Sequence, residues 1–151
     1  MIRFMEEEDV GNCVNLGERF HKSSYFKWLP YEKEKTFDYV MRGIGDKRKL
    51  MLVAEDTPSQ KIFGFFTAKV EPFYFCDEMC SIEEVLFVSP ENRGGSTAIK
   101  FMKAWEAWSM DVGASLMYFS PTSHGQGDKW DGFMKRLGHH KIGSSYRKAL
   151  K

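Results

Sequence analysis

The chain reads as one α/β domain built on a mixed, mainly antiparallel sheet with helices on both faces. Three observations predict that class. Strand-like and helix-like stretches alternate only in the second half of the chain, which argues against an all-parallel sheet. The clearest hairpin lies mid-chain, where apolar residues 50–54 and 62–70 flank the turn cluster Asp56-Thr57-Pro58-Ser59-Gln60. Further on, Val85-Leu86-Phe87-Val88 stops at Pro90, turns through Arg93-Gly94-Gly95 and enters a long helical pattern that runs to Val112.

The elements follow in order. Ile2-Arg3-Phe4 is a short edge-type strand, and acidic residues 6–9 suit the first turn of a helix, where carboxylates meet the positive end of the dipole. Val10, Cys13, Val14, Gly17 and Phe20 recur at helical spacing and give one buried face to about His21. Residues 23–30 are irregular and aromatic. A second helix follows Pro30, with Phe37, Val40, Met41 and Ile44 inward and Gly43-Ile44-Gly45 loosening its end. In the second hairpin strand, Gly64 marks a bulge or a close backbone approach. An aromatic loop over residues 71–77 precedes a strand at 82–88. In the long helix Ala98, Phe101, Met102, Trp105, Trp108 and Val112 form the core face, and Gly113 is the stop signal. Residues 116–119 form a strand ending at Ser120-Pro121. A polar loop, a short helix at 128–137 and one or two closing strands over 139–150 complete the order β-α-α-β-β-β-α-β-α-β.

Bulk composition narrows the function classes. The 151 residues and 42% hydrophobic content supply one sizeable core. A net charge of +1, from 22 basic and 21 acidic residues, gives no overall bias towards nucleic acid. No run of about 18 apolar residues predicts a membrane span. The acidic first nine residues lack the basic and apolar regions of a secretory signal. Cys13, Cys76 and Cys80 cannot all pair within one chain, so free thiols in a reducing cytoplasm are expected. Cys76-x-x-x-Cys80 has no second ligand pair and His139-His140 sends its rings to opposite faces, so no metal site is expected.

The strand-loop-helix at residues 85–112 carries the main functional signal. Two glycines let the backbone approach a ligand, Ser96 or Thr97 suits the helix cap, and the helix start gathers free N–H groups. On residue chemistry alone, both a plain helix-start turn and a phosphate cradle fit. The loop lacks the Gly-Lys-Ser/Thr ending of a Walker A loop and the third glycine of a dinucleotide fingerprint.

With its flanks, the stretch resembles the acetyl-CoA motif of the GNAT N-acetyltransferase superfamily. There, a strand ending in Val-x-Pro leads through Arg/Gln-x-x-Gly-x-Gly/Ala into a long helix. Here Val88-Ser89-Pro90 is the strand end, and Arg93, Ser96 and Ala98 hold the motif positions. The opening Ile2-Arg3, the hairpin with Leu52-Val53-Ala54-Glu55 and Ile62-Phe63-Gly64-Phe65, and Arg136-Leu137-Gly138-His139 with the Tyr146-Arg147-Lys148 ending extend the likeness over almost the whole chain. Compact members from bacteria and their phages are the nearest in style. The resemblance implies a GNAT fold splayed between its fourth and fifth strands and acetyl-CoA as acyl donor. Its phosphates would lie on Arg93, Gly94, Gly95, Ser96, Thr97 and Ala98, and its thioester against the backbone of Phe87 and Val88.

The implied reaction is direct attack of an amine on the thioester in a ternary complex, with a small-molecule or protein amine as acceptor. A lysine-like amine has a pKa of about 10.4, so a base or water relay helps. Glu83 and Glu84 are the strand carboxylates available. Alternation puts them on opposite faces and groups Glu84 with Leu86 and Val88, and Glu84 is the preferred base. Tyr118, Ser120, Ser123 and His124 lie where the two central strands part, and Tyr118 or His124 is the expected acid. Members with a tyrosine acid carry it four residues before the glycine of Arg-Leu-Gly, and here that residue is Met134. Ser96 stands in place of a usual glycine. The aromatic stretches Tyr25-Phe26-Lys27-Trp28 and Phe73-Tyr74-Phe75 read either as walls of the substrate entrance or as core overhang or a homodimer contact. A non-catalytic CoA-binding protein and a nucleobase-modifying enzyme of the same fold are the alternative functions.

Overall fold

The computed structural model describes residues 1–120 and 127–143, together with 146, 148 and 150. Five strands form one sheet in the order β1 (Ile2–Phe4), β2 (Lys49–Asp56), β3 (Lys61–Pro72), β4 (Met79–Val88) and β5 (Ala114–Tyr118). The first four pair antiparallel, and β4 pairs with β5 in parallel. Helices α1 (Val10–Ser23) and α2 (Lys33–Gly43) cover one face, and α3 (Thr97–Asp111) and α4 (Gly127–Arg136) cover the other. The predicted closing strands over 139–150 are not found among the described residues of that stretch, which carry no regular structure.

Alternation along the strands builds two cores. Met51, Val53, Phe65 and Phe87 join Val10, Cys13, Val14, Leu16 and Val40 under α1 and α2. Leu50, Leu52, Ala54, Phe66, Ala68 and Val88 face the other way, against Phe101, Met102 and Trp105 of α3. Period-two patterning in β2 and β3 makes this separation unavoidable, because neighbouring side chains leave a strand on opposite sides. Trp105 is fully buried, as its helical stripe requires, and its Nε1 donates to Ser81 Oγ at 2.7 Å. Ser109 Oγ donates to the same oxygen at 2.8 Å, so the polar atoms joining α3 to β4 are satisfied.

The acidic start of α1 does more than meet a dipole. Glu6 and Asp9 form a capping box at a 3-10 turn over Glu7–Asp9, with the Glu6 amide donating to Asp9 Oδ2 at 2.8 Å. Asp9 also takes two bonds from the Arg3 guanidinium, at 2.6 and 2.9 Å, and Arg3 Nε reaches Glu55 at 2.7 Å. One arginine therefore pins helix α1 to both β1 and β2. Gly64 is a close-approach glycine: a Cβ there would stand 2.8 Å from the Phe87 carbonyl oxygen. No described helix is long and apolar enough to cross a membrane.

Candidate active site

The β4–β5 ladder ends at the pair Ile82 and Tyr118. Beyond it β4 runs on for six residues that pair only with β3 among the described residues, and the Ser120 amide just past β5 turns to the Glu83 side chain, so the two central strands open into a fork. The Ser89 amide donates to the Phe63 carbonyl at 2.8 Å. Alternation in an antiparallel ladder then turns the Phe87 and Val85 amides towards β3, and those of Leu86 and Val88 into the fork. Two bonds agree with that assignment. The Leu86 amide meets the Glu83 carboxylate, and Arg93 Nε donates to the Val88 carbonyl at 2.8 Å. Phe87, expected to offer its amide to the thioester, instead spends it on the sheet and buries its ring against Phe20 and Phe65. Leu86 and Val88 hold the N–H groups that face the gap.

A β-bulge shapes the fork. Thr67 pairs with Val85 and Ala68 with Glu83, leaving Glu84 as an inserted residue. The extra residue overturns the expected grouping of Glu84 with Leu86 and Val88. Those two face the α3 side, whereas Glu84 Oε1 accepts a 2.5 Å bond from the Tyr39 hydroxyl of α2. Glu84 Oε2 is closed off from solvent and has no hydrogen-bond partner among the described residues. Lys49 sits 3.5 Å over the Tyr39 ring and steadies it from behind. Burial, then the bond to Glu84, pushes the Tyr39 phenol well above its ordinary value.

Glu83 lies on the other side. It is buried, and its Oε2 accepts from the Ser120 amide at 3.4 Å, just past the end of β5. Burial pushes its carboxyl up to about 8, with the nearby Glu84 charge adding to the rise and the Ser120 and Leu86 amides opposing it. Tyr118 sits at the base of the fork with its ring edge-on to Phe73, and Phe73 stacks on Phe75. Met134, on α4, packs against the α3-side core. His124 and Ser123 lie outside the described residues.

At the open end of the fork, β4 passes through a 3-10 turn at Pro90–Asn92 into α3. Gly94 turns at φ +92°, which a side chain rarely tolerates. A Cβ on Gly95 would meet nothing within 4 Å among the described residues, so the loop presents bare backbone there. The first bond of α3 runs from the Lys100 amide to the Ser96 carbonyl, so the amides of Thr97, Ala98 and Ile99 have no intrahelical acceptor. Ser96, one of the two expected caps, makes no side-chain cap bond, and those amides have no hydrogen-bond partner among the described residues. Arg93 braces the loop through Val88, and Arg19 of α1 holds Glu91 through both guanidinium nitrogens at 3.0–3.2 Å. Neither Tyr39 nor the bulge is legible in the sequence. The adjacent acids in an apolar strand are the only signal that points near them.

Comparison with known proteins places this geometry. Neither a family model nor a curated protein matches the chain in sequence. Solved structures do match it over essentially its full length. A Trypanosoma brucei acetyltransferase superposes with a TM-score of 0.78 at 16% identity, covering 99% of both chains. Glucosamine-6-phosphate N-acetyltransferase from Arabidopsis thaliana gives 0.77 at 15% identity, covering 100% of this chain and 98% of that one. AAC(6')-Iy in complex with the bisubstrate analog CoA-S-monomethyl-acetylneamine gives 0.75 at 17% identity, covering 99% and 98%. The chain has the GNAT acetyltransferase fold. At such identities the likeness is one of fold, and activity has to be argued from the site.

Proposed function

We propose that the protein transfers an acetyl group from acetyl-CoA to an amine of a small molecule or protein, by direct attack in a ternary complex. The observation that carries this reading is the continuity of two surfaces. A cradle of amides at residues 94–99, unpartnered among the described residues, lies just along the chain from a fork into which the Val88 N–H turns. A pyrophosphate suits the first, because a helix start offers convergent N–H donors and favourable dipole charge. A polarised thioester suits the second, where each amide aimed at the carbonyl oxygen is worth roughly 10²–10³ in rate. Gly95 fits the group sterically, since a Cβ there would meet nothing within 4 Å among the described residues.

Glu84 receives the acceptor's proton in this scheme. Tyr39 fixes one carboxylate oxygen and leaves Oε2 without a hydrogen-bond partner among the described residues, so Oε2 is the atom with lone pairs to spare for a proton. A second reading, a CoA-binding protein without transfer activity, is favoured by one feature: Met134 cannot donate a proton.

Titration with acetyl-CoA in a thermal-shift experiment tests binding, since a ligand of the native state must raise the melting temperature. No shift at millimolar acetyl-CoA would sink both readings. Where binding is seen, CoA thiol release across a panel of amines tests transfer. Glu84→Gln should lower kcat by about 10²-fold or more with the accepted amine. Binding without release from any amine would favour the second reading.

A further inference from the structure

We propose that Glu83 is a catalytic residue: its carboxylic acid protonates the departing CoA thiolate, the role for which no tyrosine is present at position 134. The inference rests on the acetyl-transfer reading above and assigns its missing proton donor.

Geometry places Glu83 at the vertex of the fork, one residue past the last β4–β5 pair. Its carboxyl spans the opening, taking the Leu86 amide from β4 and the Ser120 amide from the β5 side at 3.4 Å. It stands opposite Ala68, whose side chain belongs to the α3-side core, and Met134 packs against that same core. Glu84, one residue on, is drawn to the other face by Tyr39. The bulge therefore sends two neighbouring carboxyls to opposite faces of the sheet at the vertex of the fork, and proton removal and proton delivery need separate groups.

The protonation state fits the role. Only 9% of Glu83 is exposed, and its burial, with Glu84 as the charged neighbour acting on it, pushes the carboxyl up to about 8. It therefore holds a proton at neutral pH. A thiol has a pKa of about 8.5, so transfer between the two is close to balanced. In the step itself the amine nitrogen bonds to the acyl carbon, and the carbon–sulfur bond breaks with its electron pair going to sulfur. The Glu83 proton passes to that sulfur. Of the two protons that an acceptor ammonium loses, one leaves through Glu84 to solvent and the other balances the proton that Glu83 regains from water.

The test compares two acyl donors with one accepted amine. Acetyl-CoA needs its leaving thiolate protonated; S-(4-nitrophenyl) thioacetate releases a stabilised thiolate that does not. Glu83→Gln should lose about 10²-fold in kcat with acetyl-CoA, keep its acetyl-CoA thermal shift, and react with the activated thioester at nearly the wild-type rate. Equal losses with both donors, or no loss with acetyl-CoA, would overturn the assignment. A wild-type measurement guards against a variant that fails to fold. The ratio of the acetyl-CoA rate to the activated-thioester rate cancels amine ionisation, and it should fall as pH rises through about 8. A flat ratio overturns the assignment too. A wild type inactive with both donors instead removes the acetyl-transfer reading, and this inference with it.

Discussion

A Cβ at Gly64 would press on the backbone of β4, 2.8 Å from the Phe87 carbonyl oxygen and 3.4 Å from the Val88 Cα. Backbone cannot rotate aside as a side-chain tip can, so β3 and β4 must move apart at the strand that lines the fork. Gly64→Ala should therefore destabilise the protein by about 1–3 kcal/mol, the usual range for overpacking, seen as a lower urea midpoint. Acetyl-CoA should bind more weakly as well. Gly95 gives the opposite pairing of effects. Its backbone needs no special φ and a Cβ there meets nothing within 4 Å among the described residues, so Gly95→Glu should change stability by no more than about 0.5 kcal/mol. The new carboxylate fills the cradle and repels phosphate, and the acetyl-CoA thermal shift should vanish. A retained shift would mean that the phosphates lie elsewhere.

Among the elements, β4 is the one whose irregularity matters. Glu83 keeps its place opposite Ala68 on the α3 side, and Val85 stands opposite Thr67 on the other, with Glu84 inserted between them. Deleting Glu84 would leave every remaining residue on its present face and join the two halves of the ladder. The deletion variant should thus fold, with a near-wild-type circular dichroism spectrum and a cooperative melt, yet give no transfer from acetyl-CoA. Unfolding of this variant would show that the bulge is needed for the sheet itself. The bulge also marks how far the sequence can be read. Apolar periodicity locates β2, β3, β4 and α3, because burial on one or both faces dictates residue type locally. The bulge depends on the register between two strands about fifteen residues apart in sequence, which alternation within β4 alone does not encode. Strict alternation then assigns Glu84 to the wrong face. Gly64 is legible because a glycine inside a strand forfeits side-chain packing, a loss that a close backbone approach makes necessary. Tyr39 is not, since an aromatic on an amphipathic helix usually signals core.

On the scale of the whole molecule, two buried carboxyls oppose each other in their effect on stability. The Arg3 guanidinium, through direct hydrogen bonds, holds Asp9 below its ordinary value of 3.8. Its folded state binds the proton more weakly than its unfolded state, so this support is present above 3.8 and is lost as pH falls through the lower folded value. Glu83 runs the other way. Burial raises it from 4.5 to about 8, so between these values the native protein holds a proton that the unfolded chain has released. Stability from this group is complete below 4.5 and declines as pH rises through about 8. Glutamine carries a neutral side chain of the same shape at every pH and escapes that decline. Melting temperatures of Glu83→Gln and the wild type, measured at pH 4.5 and again above pH 8, should diverge in the variant's favour at the higher pH. A constant difference would mean that Glu83 is already ionised in the folded protein near neutrality, in which state it has no proton to give to a thiolate.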